Sequence, residues 1–320
     1  MRALRASLLI LALAVVGFVL VSGSPTENTL LLRIMTLAIL AVSWNIMANA
    51  GLISLGHSAF WGLGSYITTG VASDLHWSFV LALIPAMAAG SVLGLALAVI
   101  TGRLRGVFFA ISTLALSEGL RVMALMLSGI TGGAVGIYMA ASAAPSPGYL
   151  HALAAGCTIL VVLCAAWLAT TRFQYASRAL RNSEGAAQMV GIDPRQYRML
   201  SIAISAAMAA LAGGLNAGFT GYVDPDGAFS LDFTILPQIA VILGGLYSVE
   251  GPVLGAAAIV GLGELTRQTT GTRPGVSLLV NGILLVVCVL FFREGIWGTL
   301  QTAVRRIPGA VRLSSQSAPP

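Results

Sequence analysis

The chain has 320 residues, of which 57% are hydrophobic and 9% charged, with a mean hydropathy of +0.92. Soluble domains carry about 25% charged residues, so a soluble globular protein is excluded. All seventeen positive residues are Arg, set against eleven Asp and Glu for a net charge of +6, and without lysine neither a Walker A phosphate loop nor a Schiff-base site can be built.

At about 20 residues per bilayer span, this length predicts an all-α, polytopic helical bundle of about ten transmembrane helices. Ten apolar segments are read in chain order: 8 to 22, 29 to 48, 52 to 70, 79 to 100, 107 to 127, 149 to 170, 199 to 221, 234 to 248, 252 to 268 and 275 to 292. Their continuous apolarity fits helices and not the alternating pattern of a membrane barrel. Residues 1 to 24 also fit a cleaved signal peptide, with Arg2 and Arg5 ahead of the run Leu8 to Val21 and then Ser22, Gly23 and Ser24. Cleavage would leave nine spans. Residues 1 to 28 are therefore assigned to a first helix and its connector, 29 to 298 to the membrane domain, and 299 to 320 to a tail whose end from Ser314 is expected to be disordered.

Positive residues are retained on the cytoplasmic side. Alternating the ten spans from an inside N-terminus places Arg2, Arg5, Arg103, Arg105, Arg172, Arg178, Arg181, Arg195, Arg198, Arg293, Arg305, Arg306 and Arg312 inside, thirteen of the seventeen. The outside connectors receive Glu27, Asp74, Asp224, Asp226 and Asp232, with Arg273 and Arg267 on the unfavoured side. Both termini are thus expected in the cytoplasm. The Arg residues fall between apolar runs and form no basic domain, so nucleic acid is not an expected partner, whereas membrane lipid is. Cys157, Cys164 and Cys288 lie inside apolar runs without CxxC spacing or a nearby His, which indicates packing and neither metal nor disulfide.

The longest cytoplasmic connector, 171 to 198, carries Phe173, Gln174, Tyr175, Arg178 and Arg181. It then offers a Ser183 cap and a helix of about two turns ending at Gly191. Asp193, Pro194 and Gln196 read as a capping box that opens the helix of the seventh span. A connector needs only a few residues, so this segment either docks a partner or lies on anionic lipid.

Polar residues within the apolar runs are candidates for a translocation path. In the third segment, glycines 51, 56, 62, 64 and 70 accompany Ser54, His57, Ser58, Ser65 and Tyr66, a composition that suits either a path or close helix packing. His57 fits a hydrogen-bonded structural group as well as a path residue. Glu118 and Arg121 stand at i, i+3 in the fifth segment, as a gate or as a structural ion pair. Asn216 and Gln238 are weaker candidates of the same kind. Three scattered His residues and few carboxylates form no metal or nucleophile constellation, so no catalytic residue is assigned and an enzyme is not expected.

The run Gly51-Leu52-Ile53-Ser54-Leu55-Gly56-His57-Ser58-Ala59-Phe60, followed by Gly62, Gly64 and Tyr66, resembles the signature of permease subunits of branched-chain amino-acid ATP-binding-cassette importers. Four further stretches match in order. They are Arg103-Leu104-Arg105-Gly106-Val107-Phe108-Phe109-Ala110 with Thr113 and Glu118, then Thr131 to Ile137, Glu184 to Asp193, and Gly244 to Ala256. The Arg-Leu-Arg-Gly block is similar to the M-type subunit more than to its H-type partner.

The resemblance implies a fold of the vitamin B12 importer type: ten spans, with a coupling helix between spans six and seven that seats in an ATPase subunit. It assigns Arg178, Arg181, Ser183, Glu184, Ala186, Ala187 and Gly191 to that coupling loop, and Glu184→Arg is expected to uncouple or detach the ATPase. Gly185 stands where family members more often carry Ala, a departure that weakens a helix by about 1 kcal/mol at most. The implied partners are an H-type permease subunit, two ATPase subunits that bind ATP and magnesium, and a periplasmic substrate-binding protein. No cofactor is expected in this chain itself. The implied cargo is leucine, isoleucine or valine, carried across a bacterial inner membrane; relatives also move urea, amides and aromatic acids. An ion-coupled secondary transporter is the alternative of a different class.

Overall fold

In a computed structural model of the protein, residues 25 to 102, 104 to 270, 282 to 283, 286 and 295 to 299 are described. The first apolar run with its signal-peptide alternative, most of the tenth run, Cys288 and the tail from 300 lie outside the described residues. So do Arg2, Arg5, Arg103, Arg273, Arg293, Arg305, Arg306 and Arg312 of the charge pattern.

The described chain is helical apart from one short strand pair. The long helices are α1 (Pro25–Asn49), α2 (His57–Asp74), α3 (Phe79–Ile100), α4 (Val107–Met126), α6 (Pro147–Thr170), α9 (Pro194–Thr220), α11 (Asp232–Gly244) and α12 (Gly251–Thr270). Between them come α5 (Ser128–Thr131), α7 (Arg172–Asn182), α8 (Glu184–Met189) and α10 (Pro225–Ala228). Strands β1 (Ile137–Tyr138) and β2 (Tyr222–Val223) pair antiparallel. Six stretches among the described residues are long and apolar enough to cross a membrane: Glu27–Asn49, Phe79–Ile100, Val107–Met126, Pro147–Thr170, Pro194–Thr220 and Pro225–Gly244.

Two helices form the centre. α1 is apolar around most of its circumference and, apart from exposed Arg33 and half-buried Ile34, is buried from Leu31 to Ala48, the expected fate of a helix without a polar face. It packs against α6, α9, α11 and α12, while α9 packs also against α2 and α3. α4 is peripheral: among the long helices its main neighbour is α2, and Phe108, Ile111, Val122 and Met126 stay exposed. With hydrocarbon on both sides there is little hydrophobic drive between helices, so close approach has to supply the attraction. Glycine provides it here. A Cβ on Gly64 would stand 2.1 Å from the Ala210 carbonyl oxygen, and one on Gly213 would stand 2.0 Å from that of Trp61. α2 and α9 therefore touch backbone to backbone.

The segment boundaries follow the apolar runs with two informative departures. The predicted span 52 to 70 becomes helical only at His57, because Gly51 turns at φ +77° and Gly56 lies against the Thr113 backbone. Residues 50 to 56 thread between helices with their backbone satisfied by side chains: Trp44 Nε1 and Gln238 Nε2 donate to the Ser54 carbonyl, and the Leu55 amide donates to Thr113 Oγ1. The predicted span 234 to 248 stops at Gly244, since Gly245 and Tyr247 both take positive φ and the chain reverses before Gly251.

Charge is unevenly spread along the bundle, although Glu184, Asp193 and Glu250 lie among the arginines. Arg105, Arg172, Arg178, Arg181, Arg195 and Arg198 gather at the end that carries α7 and α8. Glu27, Asp74, Asp224, Asp226 and Asp232 lie at the opposite end, with β1, β2 and α10.

Candidate functional site

The polar residues of the signature segment are turned into the bundle. Ser54, His57 and Ser58 have no exposed surface and Ser65 has 2%. His57 Nε2 lies 3.1 Å from Ser205 Oγ on α9. Ser58 Oγ joins Ser117 Oγ of α4 at 2.7 Å and Thr234 Oγ1 of α11 at 3.0 Å, and the Ser58 amide donates to the same Thr234 oxygen. Ser65 donates to the carbonyls of Trp61 and Gly213. Each bond crosses between helices or closes a helical turn, so these side chains hold α2 against α4, α9 and α11. Away from water such bonds stabilise through the cost of leaving a hydroxyl unpaired, about 1–3 kcal/mol.

The more open candidates sit elsewhere. Tyr66 is half-buried beside Phe229, with its hydroxyl enclosed and unpartnered. Asn216 on α9 and Gln238 on α11 are partly exposed. Glu118 and Arg121 do form the expected pair, at 2.9 Å, but Arg121 also reaches Asp226 of α10 at 2.8 Å. That second bond places the pair at the acidic end of the bundle and ties the peripheral α4 to the turn that follows β2. Its second partner lies 105 positions along the chain, which no local spacing could reveal.

At the arginine-rich end the connector folds into two helices separated by Ser183, which is extended. The Ser183 side chain accepts from the Ala186 amide and caps α8, and Asp193 accepts from the Arg195 amide to cap α9 with Pro194 at its first position. The reciprocal bond from Gln196 that would complete the box is not among the hydrogen bonds of the described residues. Gly191 turns at φ +84° between the two helices.

α7 is held down by its apolar face. Phe173, Ala176, Ser177 and Leu180 are buried, and Gln174 donates to Asn49 Oδ1 of α1. Arg181 lies 3.6 Å over the Tyr247 ring, a cation–π contact to the reversed loop between α11 and α12. Asn45 fixes that loop from α1, donating to the Ser248 carbonyl and accepting from the Tyr247 amide.

Of the coupling residues expected from sequence, Arg181, Glu184 and Ala187 face the protein, while Arg178, Ser183, Ala186 and Gly191 face outward. Sequence reasoning missed the most prominent outward residues, Met189 and Val190, which are 85% and 75% exposed. Two adjacent apolar side chains on an otherwise polar connector were the available signal. Such a tip resembles the apolar centre of a protein interface.

A family described as the branched-chain amino acid transport system permease component matches residues 28–289. The high-affinity branched-chain amino acid transport system permease protein LivM of Escherichia coli is 27% identical over 313 residues, covering 86% of this chain and 70% of that protein. The protein of the same name from Salmonella typhimurium is 27% identical over 297 residues, covering 81% and 67%. A Methanocaldococcus jannaschii protein named "Probable branched-chain amino acid transport permease protein LivH" is 31% identical over 144 residues, covering 43% and 44%. No solved structure matches the chain.

Proposed function

The chain belongs to the branched-chain amino acid transport permease family, and from that premise we propose that it is the M-type permease half of an importer for leucine, isoleucine and valine, driven by ATP-hydrolysing partner chains. The observation that carries this reading is the connector at the arginine-rich end, a capped helix with an exposed apolar tip and few contacts of its own. α7 and α8, within the connector 171 to 198, are the coupling segment, and Met189 and Val190 enter a groove on an ATPase subunit. ATP and magnesium belong to that subunit.

In this reading residues 29 to 298 form the permease domain, 1 to 28 supply a first helix and 299 to 320 a tail. Ten spans of the vitamin B12 importer type, with both termini in the cytoplasm of a bacterial cell, belong to the same reading, an orientation supported by the arginines gathered at the end that carries α7 and α8. An H-type permease pairs with this chain, and the solute path runs between them along the side that carries Tyr66, Asn216, Gln238 and the Glu118–Arg121 pair. Ser54, His57, Ser58 and Ser65 support that side from within. The acidic end, with α5, α10 and the β1–β2 pair, receives a substrate-binding protein.

The test is to co-express the chain with the products of adjacent genes, purify the assembly, and measure ATP hydrolysis with a panel of substrate-loaded binding proteins. Stimulation by leucine-, isoleucine- or valine-loaded protein is the expected result. Stimulation by urea, amide or aromatic-acid carriers alone would replace the cargo.

A further inference from the structure

The contacts of Glu184 open a question separate from where an ATPase docks. α8 is thinly attached: Ala187 is its one buried side chain. Beside it a cavity of about 440 Å³ opens against Val99 and Gly102 at the end of α3 and Pro194 at the start of α9. Apart from Ala187 and the adjoining α7, a push on α8 has few packed side chains through which to reach the bundle. It can pass through Glu184, whose two carboxylate oxygens are held separately. Oε1 accepts from Arg105 at 3.0 Å and Oε2 from Arg198 at 2.9 Å. Among the described residues, these side-chain bonds tie α8 to the α3–α4 turn and to α9.

The two arginines stand on different bodies. Arg198 lies in the first turns of α9, which runs through the middle of the bundle, and its pair with Glu184 is mostly buried, at 15% exposure on each side. Arg105 precedes the peripheral α4 and is separated from it only by Gly106, which takes φ +54° with open space around it, a backbone state that costs glycine little. One carboxylate thus joins the connector to the central α9 and, through Arg105, whose side chain is 68% exposed, to the turn that leads into the peripheral α4.

We propose that Glu184 is a positioning residue, an internal strut that passes displacement of α8 to the α3–α4 turn and thence to α4, and not a contact to the partner. The proposal rests on the reading of α7 and α8 as the coupling segment. Each Glu184 oxygen is bonded within its own chain and the side chain is 15% exposed, so most of it faces inward.

The experiment uses the full assembly of both permeases, ATPases and binding protein in proteoliposomes, and reads ATPase capture separately from solute moved per ATP hydrolysed. For Glu184→Arg, capture is expected to stay within about twofold of wild type while the transport ratio falls about tenfold, near the upper end of what coupling residues remote from both ligands deliver. Combining it with both Arg105→Glu and Arg198→Glu should return the ratio to within about threefold of wild type, since both bonds are then rebuilt with their charges exchanged. If the reversed chain fails to fold, Glu184→Gln serves, with faster hydrogen exchange at the amides of 186 to 190 as the expected sign of a loosened α8.

Loss of ATPase capture in Glu184→Arg that the added Arg105→Glu and Arg198→Glu changes leave uncorrected would place Glu184 at the partner interface and overturn the strut. So would an unchanged transport ratio, or unchanged exchange in Glu184→Gln. A wild-type chain that captures no ATPase at all would instead overturn the reading of the connector itself.

Discussion

Gly213→Val is expected to remove most of the folded, monodisperse chain from detergent extracts and to lower the melting temperature of what remains by several degrees. A Cβ at this position would lie 2.0 Å from the Trp61 carbonyl oxygen and 2.8 Å from its carbonyl carbon. Both obstacles are backbone, so no side-chain rotation relieves the clash and α2 has to move away from α9. The facing glycine repeats the argument, because Gly64 meets the Ala210 carbonyl at 2.1 Å. Overpacking commonly costs about 1–3 kcal/mol and more where the backbone must shift, against a total stability of about 5–15 kcal/mol. The separation of the helices would also strain the bonds that cross between α2 and its neighbours, from His57 to Ser205 and from Ser58 to Thr234. Gly156→Ala is the control: nothing lies within 4 Å of a Cβ there, and the change should be neutral or slightly stabilising, by about 1 kcal/mol at most. Size-exclusion profiles and thermal melts of the two variants check the pair. Equal recovery of Gly213→Val and wild type would show that the crossing can open without penalty.

The second large effect concerns the far end of the connector. Met189→Asp should leave folding and membrane insertion intact, since the side chain is 85% exposed and touches little of its own chain. It should weaken capture of the ATPase by about 30-fold, the scale of an apolar anchor worth 2 kcal/mol or more at an interface centre. Val190→Asp is expected to behave alike with a smaller loss, and Arg178→Ala, at the exposed rim of α7, to change capture by about threefold or less. Pull-down of the ATPase by the purified variants gives the comparison. Full capture by Met189→Asp would remove the apolar tip from the interface, leaving lipid as the surface on which it rests.

These expectations differ in how far the sequence announced them. The long helices were legible because their apolar runs are continuous, so that α3 was read at its own boundaries and α1 within a few residues. The caps at Ser183 and Asp193 were legible because capping is local chemistry: a short polar side chain beside the amide it satisfies. The strut at Glu184 was not. Its partner Arg105 is 79 positions away, and only the folding of α3 back along α9 brings the two together. Arg121 illustrates the same limit from the other end of the bundle. Spacing correctly paired it with Glu118, yet the bond to Asp226 depends on where α10 lands. The reversal at Gly245 to Glu250 was hidden for a different reason: it directly continues the apolar run of α11, and hydropathy does not register a positive φ at Tyr247. For the signature segment, the small and hydroxyl-bearing residues admitted a path or a packing seam. Burial of Ser54, His57, Ser58 and Ser65 suits the seam, and the proposed function therefore assigns the solute-facing role to the more open residues near it.

The account has the force for transport enter at the arginine-rich end, through α7 and α8, from chains that this polypeptide must bind. The most direct test is solute uptake into proteoliposomes that hold either this chain with its H-type partner alone or the complete assembly. Uptake against a gradient only in the complete assembly, and only with ATP on the connector side, is the predicted result. Uphill uptake by the permease chains alone, powered by a proton or sodium gradient, would contradict it.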